Sequence, residues 1–266
     1  MIRFRPLLCF LLCSVLLLGT AASAEDLEVE DLVFNEDGTI AETEEPDGTD
    51  SSEGRSARES FIDDIIALGE ELYIKADGKL QRAWYTGDIY VCKNFTVYLF
   101  RETRAAYRMA EFPDVELKIP NNLPEKQCRP YYYGYCWEDI PASKGNPFEI
   151  AAQFLYDSKQ SKEENRIRAL EFMKQVQRGD YFQMTGNYSG GVGAHSAIFI
   201  SDYDPETNTV HSMDSNRTGK KINGIRYGKV LFNSEMQIDE WVKFFCLKKR
   251  GATLYRLRQD IIYAGE

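Results

Sequence analysis

Hydrophobic positions follow three regimes along this chain: a continuous apolar run at the start, helical spacing through the middle, and strand-like alternation after residue 180. The opening run extends from Leu7 to Leu18 behind Arg3 and Arg5, and ends at Ala22-Ser23-Ala24 before Glu25. It is shorter than the roughly 20 residues that cross a bilayer, and its flanks are those of a secretory signal peptide over residues 1–24. Cys9 and Cys13 lie inside the run rather than behind a small residue at its end, which argues against lipidation. The expectation is a chain exported to the periplasm, cell envelope or medium, with no transmembrane segment left in the mature protein.

The helical regime begins near Ser60, where Ser60-Phe61-Ile62-Asp63 reads as a capping box and Phe61, Ile65, Leu68 and Leu72 share one face. Thr86-Gly87-Asp88 supplies a turn and cap for a second helix, whose apolar face carries Cys92, Phe95 and Leu99. Residues 111–146 read as irregular, with five prolines and an aromatic cluster from Tyr131 to Trp137. That cluster could stack on a sugar or peptide, or serve local packing. Asn146-Pro147-Phe148-Glu149 predicts another helix start. Ser161 to Glu164 predicts the next, with Ile167, Leu170, Met173 and Val176 on its apolar side and Gly179 at its C-cap.

Alternation then takes over. Asp180 to Met184 reads as a strand, and Gly190 to Asn216 reads as one hairpin turning at Asp204 to Asn208. Gly228 to Phe232 follows as a strand. Ser234 opens a late helix with Ile238, Trp241, Val242 and Phe245 inward, and Ala252 to Leu257 closes the chain as a strand. Helices before antiparallel strands give an α+β class.

Charge alters this picture at one end only. Residues 25–60 hold 14 Asp or Glu against Arg55 and Arg58, more than the whole net charge of −10. Residues 25–58 therefore read as an acidic disordered linker or pro-segment, and 59–266 as one domain large enough to bury its own core. The near-neutral remainder offers no basic stripe for nucleic acid. A monomer is expected.

The candidate chemistry lies in two places. Cys92 falls in the first turn of its helix, where the positive end of the helix dipole favours a thiolate. The chain has two histidines, both on the hairpin: His195 opens one strand after Gly190, Gly191 and Gly193, and His211 stands with Asp214 on the return strand. A nucleophilic thiol needs a base, and the base needs a third group to hold its tautomer. Asp214 and His211 fall on opposite faces of a regular strand, so only one of them can serve. Cys92, Cys128, Cys136 and Cys246 lie beyond the leader. A local Cys128–Cys136 bridge is the simplest pairing, and a Cys92–Cys246 disulfide is the alternative to a nucleophilic Cys92. With no HExxH and no paired CxxC, neither a metal nor a cofactor is expected.

The segments VCKNFTVYLF, RGDYFQM, GAHSAIFISDY, VHSMDSN and GIRYGKV, in that order, resemble the papain-like cysteine amidases and peptidases of bacterial cell walls, the CHAP and NlpC groups. The likeness is nearest to CHAP-type domains and covers the region of Cys92 and most of residues 178–232. It implies Cys92 as nucleophile, His195 as general base and then acid, Asp214 as the orienting group and Asn216 nearby. It also implies an α+β, papain-like fold with N-terminal helices on a small antiparallel sheet, and hydrolysis of amide bonds in peptidoglycan peptides. NlpC-type enzymes place a second histidine where His211 stands, which makes it the alternative third member. Two departures are evident: Val91 occupies the place of the usual glutamine, and the long Cys92–His195 separation implies an insertion over residues 111–177. The competing readings are an inactive module on the same fold that binds cell-wall peptides or a protein partner, and an acyl or peptide transferase.

Overall fold

A computed structural model of the chain describes residues 55–84, 87–121, 135–188 and 191–265. Residues 1–54, which hold the expected leader and most of the acidic stretch, together with Cys128 and Tyr131 to Tyr133, lie outside the described residues, and with them the expected cleavage and the Cys128–Cys136 pairing. Four helices and nine strands are described: α1 (Ala57–Ala76), β1 (Gln81–Arg82), α2 (Cys92–Thr103), β2 (Tyr107–Met109), β3 (Phe148–Leu155), α3 (Lys162–Met173), β4 (Tyr181–Tyr188), β5 (Gly191–Phe199), β6 (Thr209–Ile222), β7 (Ile225–Gln237), α4 (Ile238–Phe245), β8 (Gly251–Leu257) and β9 (Ile261–Tyr263). Seven strands form one antiparallel sheet in the order β1-β7-β6-β5-β4-β8-β3, while β2 and β9 pair separately. The α+β class is observed. The sheet is larger than the small one expected.

Each face of the sheet carries its own core. Tyr181, Ile198, Met213, Tyr255 and Leu257 pack with Phe61, Ile65 and Leu72 of α1 and Phe95, Leu99 and Phe100 of α2. Phe182, Met184, Ala197, Phe199 and Val210 pack with Phe172 and Met173 of α3 and Trp241, Val242 and Phe245 of α4. Residues of odd and even number along β4 and β5 thus divide between two cores, as strand alternation requires. Among the described residues no helix is long and apolar enough to cross a membrane.

Several boundaries differ from expectation, each for a local reason. The first helix begins at Ala57, with the reciprocal capping box made by Ser56 and Glu59. The Ser60 hydroxyl instead accepts from Tyr263 at 2.7 Å. The segment after Asn146 is an edge strand. Asn146 accepts from the Phe148 N–H at 3.0 Å and donates to the Trp137 carbonyl at 2.8 Å, and residues 148–155 then pair with β8. Tertiary pairing overrides a helix-start signature there. The expected insertion over 111–177 therefore includes an edge strand of the main sheet and a helix of its second core.

The Ser161–Glu164 capping box forms as expected. The inward face of α3 is Asn165, Ala169, Phe172 and Met173, and Ile167 is 50% exposed. Buried Asn165 donates to the Asp157 and Ser161 carbonyls, so a polar side chain anchors this face and shifts the stripe. β7 stays paired with β6 through Gln237, which delays α4 to Ile238. Tyr135 and Trp137 are core residues; the Trp137 ring packs on Phe100, Phe148 and Tyr181.

Gly179 lies beyond the end of α3 rather than capping it. Its φ is +88°, and an added Cβ would come within 2.7 Å of the Ile62 side chain. Gly179→Ala is expected to destabilise the protein by about 1–3 kcal/mol, through left-handed strain and that contact. Urea unfolding measures it, and an unchanged midpoint would contradict the geometry.

Candidate active site

The site arises where two neighbouring strands part. β5 pairs with β4 from Tyr188–Gly191 to Tyr181–Ile198, whereas its register with β6 is confined to Ile198–Met213 and Phe199–Ser212. Beyond that point β6 continues along β7. The start of α2 meets both separated strands: Ser215 of β6 donates to the Tyr90 carbonyl at 2.9 Å, and the Cys92 Sγ lies 3.9 Å from the Ala194 carbonyl of β5. Cys92 is the first residue of α2, behind an extended Val91 with no side-chain cap. Its own N–H and those that follow have no earlier carbonyl of the helix to bond, so they are available to an anion.

Cys92 is 7% exposed, His195 3% and Asp214 0%. The Nε2 of His195 stands 3.4 Å from the Asp214 Oδ1. His195 and Cys92 lie close enough to shift each other's proton affinity, and with Nε2 turned to Asp214 the nitrogen left for the thiol is Nδ1. Burial pushes the Cys92 thiol up, but its interaction with His195, helped by the Ser196 and Lys93 N–H groups, brings it below the usual thiol value. Burial would lower the His195 imidazole; the Asp214 carboxylate 3.4 Å from Nε2, together with Cys92, outweighs it and pushes it up to about 9. Burial likewise raises the Asp214 carboxyl, and His195 and then Arg217 hold it below the usual carboxylate range. Opposite shifts on thiol and imidazole favour charge separation between them, with the thiolate beside an imidazolium.

Of the two candidates for the third position, Asp214 is the one brought to His195. His211 is partly exposed, with its Nδ1 2.7 Å from Asn233 Oδ1 and its Nε2 3.8 Å from Glu235 Oε2. Alternation along β6 separates the two despite the register shift between Ser212 and Asp214. Asn216 turns elsewhere. It adopts φ +69°, and its side-chain and backbone oxygens both accept from Arg226, at 2.8 and 3.2 Å. Cys246 sits at the end of α4 beside Tyr156, Lys162 and Leu247, and both it and Cys92 are thiols, so the alternative disulfide between them is not formed.

Two side chains around the pair are absent from the sequence reading of the site. Arg217 donates to Asp214 Oδ2 at 2.9 Å, and its guanidinium lies 5.3 Å from the Trp241 ring centroid. Trp241 stacks on His195 at 6.4 Å between centroids and 27° between planes. The apolar stripe of α4 marks Trp241 as core, and no sequence pattern marks Arg217. Taken together, the groups can generate a nucleophilic thiolate, move a proton through His195 Nδ1, and hold the ring from behind with a carboxylate. Comparison with family models, with characterised proteins and with solved structures returned no match.

Proposed function

We propose that this chain is an exported cysteine-dependent amidohydrolase or peptidase that cleaves amide bonds in peptidoglycan peptides, on a papain-like fold. The observation that carries the catalytic part is the meeting of Cys92, His195 and Asp214 at a helix N-terminus, with Asp214 Oδ1 3.4 Å from the His195 Nε2 and Cys92 interacting with the same ring. The cell-wall substrate rests on the resemblance to CHAP-type domains, and export rests on the N-terminal leader.

The chemistry follows from the groups present. The Cys92 thiolate attacks the amide carbonyl carbon, and the carbonyl π pair moves to oxygen. The Cys92 N–H, unpaired within the helix, is placed to receive that oxyanion. As the tetrahedral intermediate collapses, the C–N bond breaks and His195 Nδ1–H protonates the departing amine, leaving a thioester and neutral imidazole. His195 then takes a proton from water as the water attacks the thioester, and the acid leaves with the thiolate and imidazolium restored. Asp214 keeps the ring in the required tautomer and stabilises its cation.

The test is digestion of purified peptidoglycan fragments, followed by mass spectrometry and detection of new amines. Hydrolysis by the wild-type protein, its loss in Cys92→Ala and its retention in Cys246→Ser are expected. Full activity in Cys92→Ala would overturn the proposal. A companion result needs no substrate: at pH 6 iodoacetamide should label Cys92 well before Cys246, because burial raises the Cys246 thiol while the His195 interaction lowers that of Cys92. Peptide mapping reads the order of labelling.

A further inference from the structure

Arg217 makes more contacts than a surface cation near a strand end needs. Its Nε donates to Asp214 Oδ2 at 2.9 Å, one terminal nitrogen donates to Ser234 Oγ at 2.7 Å, and the other lies 2.6 Å from Met236 Sδ. The guanidinium plane rests 5.3 Å from the centroid of Trp241, the ring that stacks on His195. Its side chain is 11% exposed, beside a carboxylate that is wholly buried. Every arm of the fork is thus engaged, and it holds one oxygen of the carboxylate while the other faces the imidazole.

The backbone is shaped to allow this. Residues three apart on a regular strand point to opposite faces, so Arg217 and Asp214 should not meet. The ladder between β6 and β7 is irregular from Ser215 to Gly219, and Asn216 within it takes a left-handed φ of +69°. Gly228 on β7 lies against that point, where an added Cβ would fall 2.5 Å from the Asn216 Cα. The local twist returns Arg217 to the side of Asp214.

We propose that Arg217 is a positioning residue of the site: it fixes the Asp214 carboxylate edge-on to His195 and supplies the counter-charge that completes an alternating row of thiolate, imidazolium, carboxylate and guanidinium. The inference rests on the catalytic reading above. Among the described residues, the titratable groups facing this row are Cys92 from α2, His195 from β5 and Asp214 from β6, with the Tyr181 phenol of β4 beside Cys92 and kept neutral by burial. β7 contributes Ser234 and Met236, and α4 contributes Trp241, none of which carries charge there. Removing one cation from the row makes each neighbouring proton harder to lose, so the Cys92 and His195 midpoints should both rise.

The experiment uses the purified full-length chain. Iodoacetamide labelling of the Cys92 peptide against pH gives the thiolate midpoint. NMR of isotope-labelled histidine gives that of His195, with His211 as the only other histidine signal of the chain. Arg217→Met is expected to move both midpoints upward by about one pH unit, the lower end of what an adjacent charge does. Arg217→Lys should return them towards wild type, since it restores charge without the fork. A side chain that only stabilised the fold would lower the urea midpoint and leave both titrations in place. If Arg217→Met does not fold, Arg217→Gln, which keeps an N–H but no charge, carries the same expectation. Midpoints unmoved in a folded neutral variant overturn the inference alone. A wild-type Cys92 that titrates as an ordinary thiol, at about 8.5, overturns the catalytic reading itself.

Discussion

Cys92→Ala is expected to leave a folded protein with no measurable amide hydrolysis, a loss of about 10⁴-fold or more. The reason lies in how the nucleophile is made. Sγ is the only atom removed, and its neighbours are the Ala194 carbonyl, the His195 ring and the Ser196 and Lys93 N–H groups. Nothing else in that row can attack a carbonyl carbon. Meanwhile the Phe95 and Leu99 anchors of α2 remain buried, and Ser215 still holds the Tyr90 carbonyl, so the helix keeps its place. Turnover of peptidoglycan fragments and the urea midpoint, measured on the same preparation, separate loss of chemistry from loss of fold. Cys92→Ser is expected to be equally inactive, because a hydroxyl keeps its proton where a thiol yields it. Activity in either variant would mean that the site lies elsewhere.

Asp214→Ala is expected to cost about 3–5 kcal/mol of stability as well as activity. The carboxylate is fully buried between His195 and Arg217, and its removal leaves a buried guanidinium and an imidazole without their anion. The pH dependence provides the signature. In the wild type the folded His195 lies at about 9, above its unfolded value of about 6.5. Its contribution to stability is therefore complete below about pH 6.5 and disappears as pH rises through 9. Without Asp214 the main cause of the raised value is gone and burial acts in the opposite direction. The fall that His195 contributes between pH 6.5 and 9 should then be lost, leaving the opposite contribution of the lowered Cys92 thiol, which grows as pH rises towards its unfolded value. Urea unfolding at pH 6 and pH 9.5 checks this, and an Asp214→Ala protein with the wild-type pH slope would contradict the assignment.

The parts of this architecture that were legible in the sequence share one property: a residue's neighbours along the chain determine where it points. Cys92, Phe95 and Leu99 are spaced for one helical face, and all three are buried. His211 and Asp214 separate by simple alternation. What was illegible depends on distant or irregular backbone. β3 begins with a helix-start signature and becomes a strand because β8 offers it an edge. Ser56 caps α1 in place of Ser60, which Tyr263 engages from some 200 residues away. Arg217 reaches Asp214 only because Asn216 breaks the alternation. Asn216 itself, matched to the site by motif, is committed to Arg226 by the same irregularity.

The parting of β5 and β6 gives the site a place in time as well as in space. Cys92 is joined to His195 by neither a shared helix nor a shared hairpin; about 100 residues separate them, and they meet only once α2 has docked against both strands. Long-range closures of this kind come late in folding. Until then Cys92 is a thiol like the others, sluggish towards electrophiles at mildly acid pH. Labelling at pH 6 during refolding should accordingly lag behind the recovery of secondary structure, so that the reactivity of a single sulfur marks when the chain has finished.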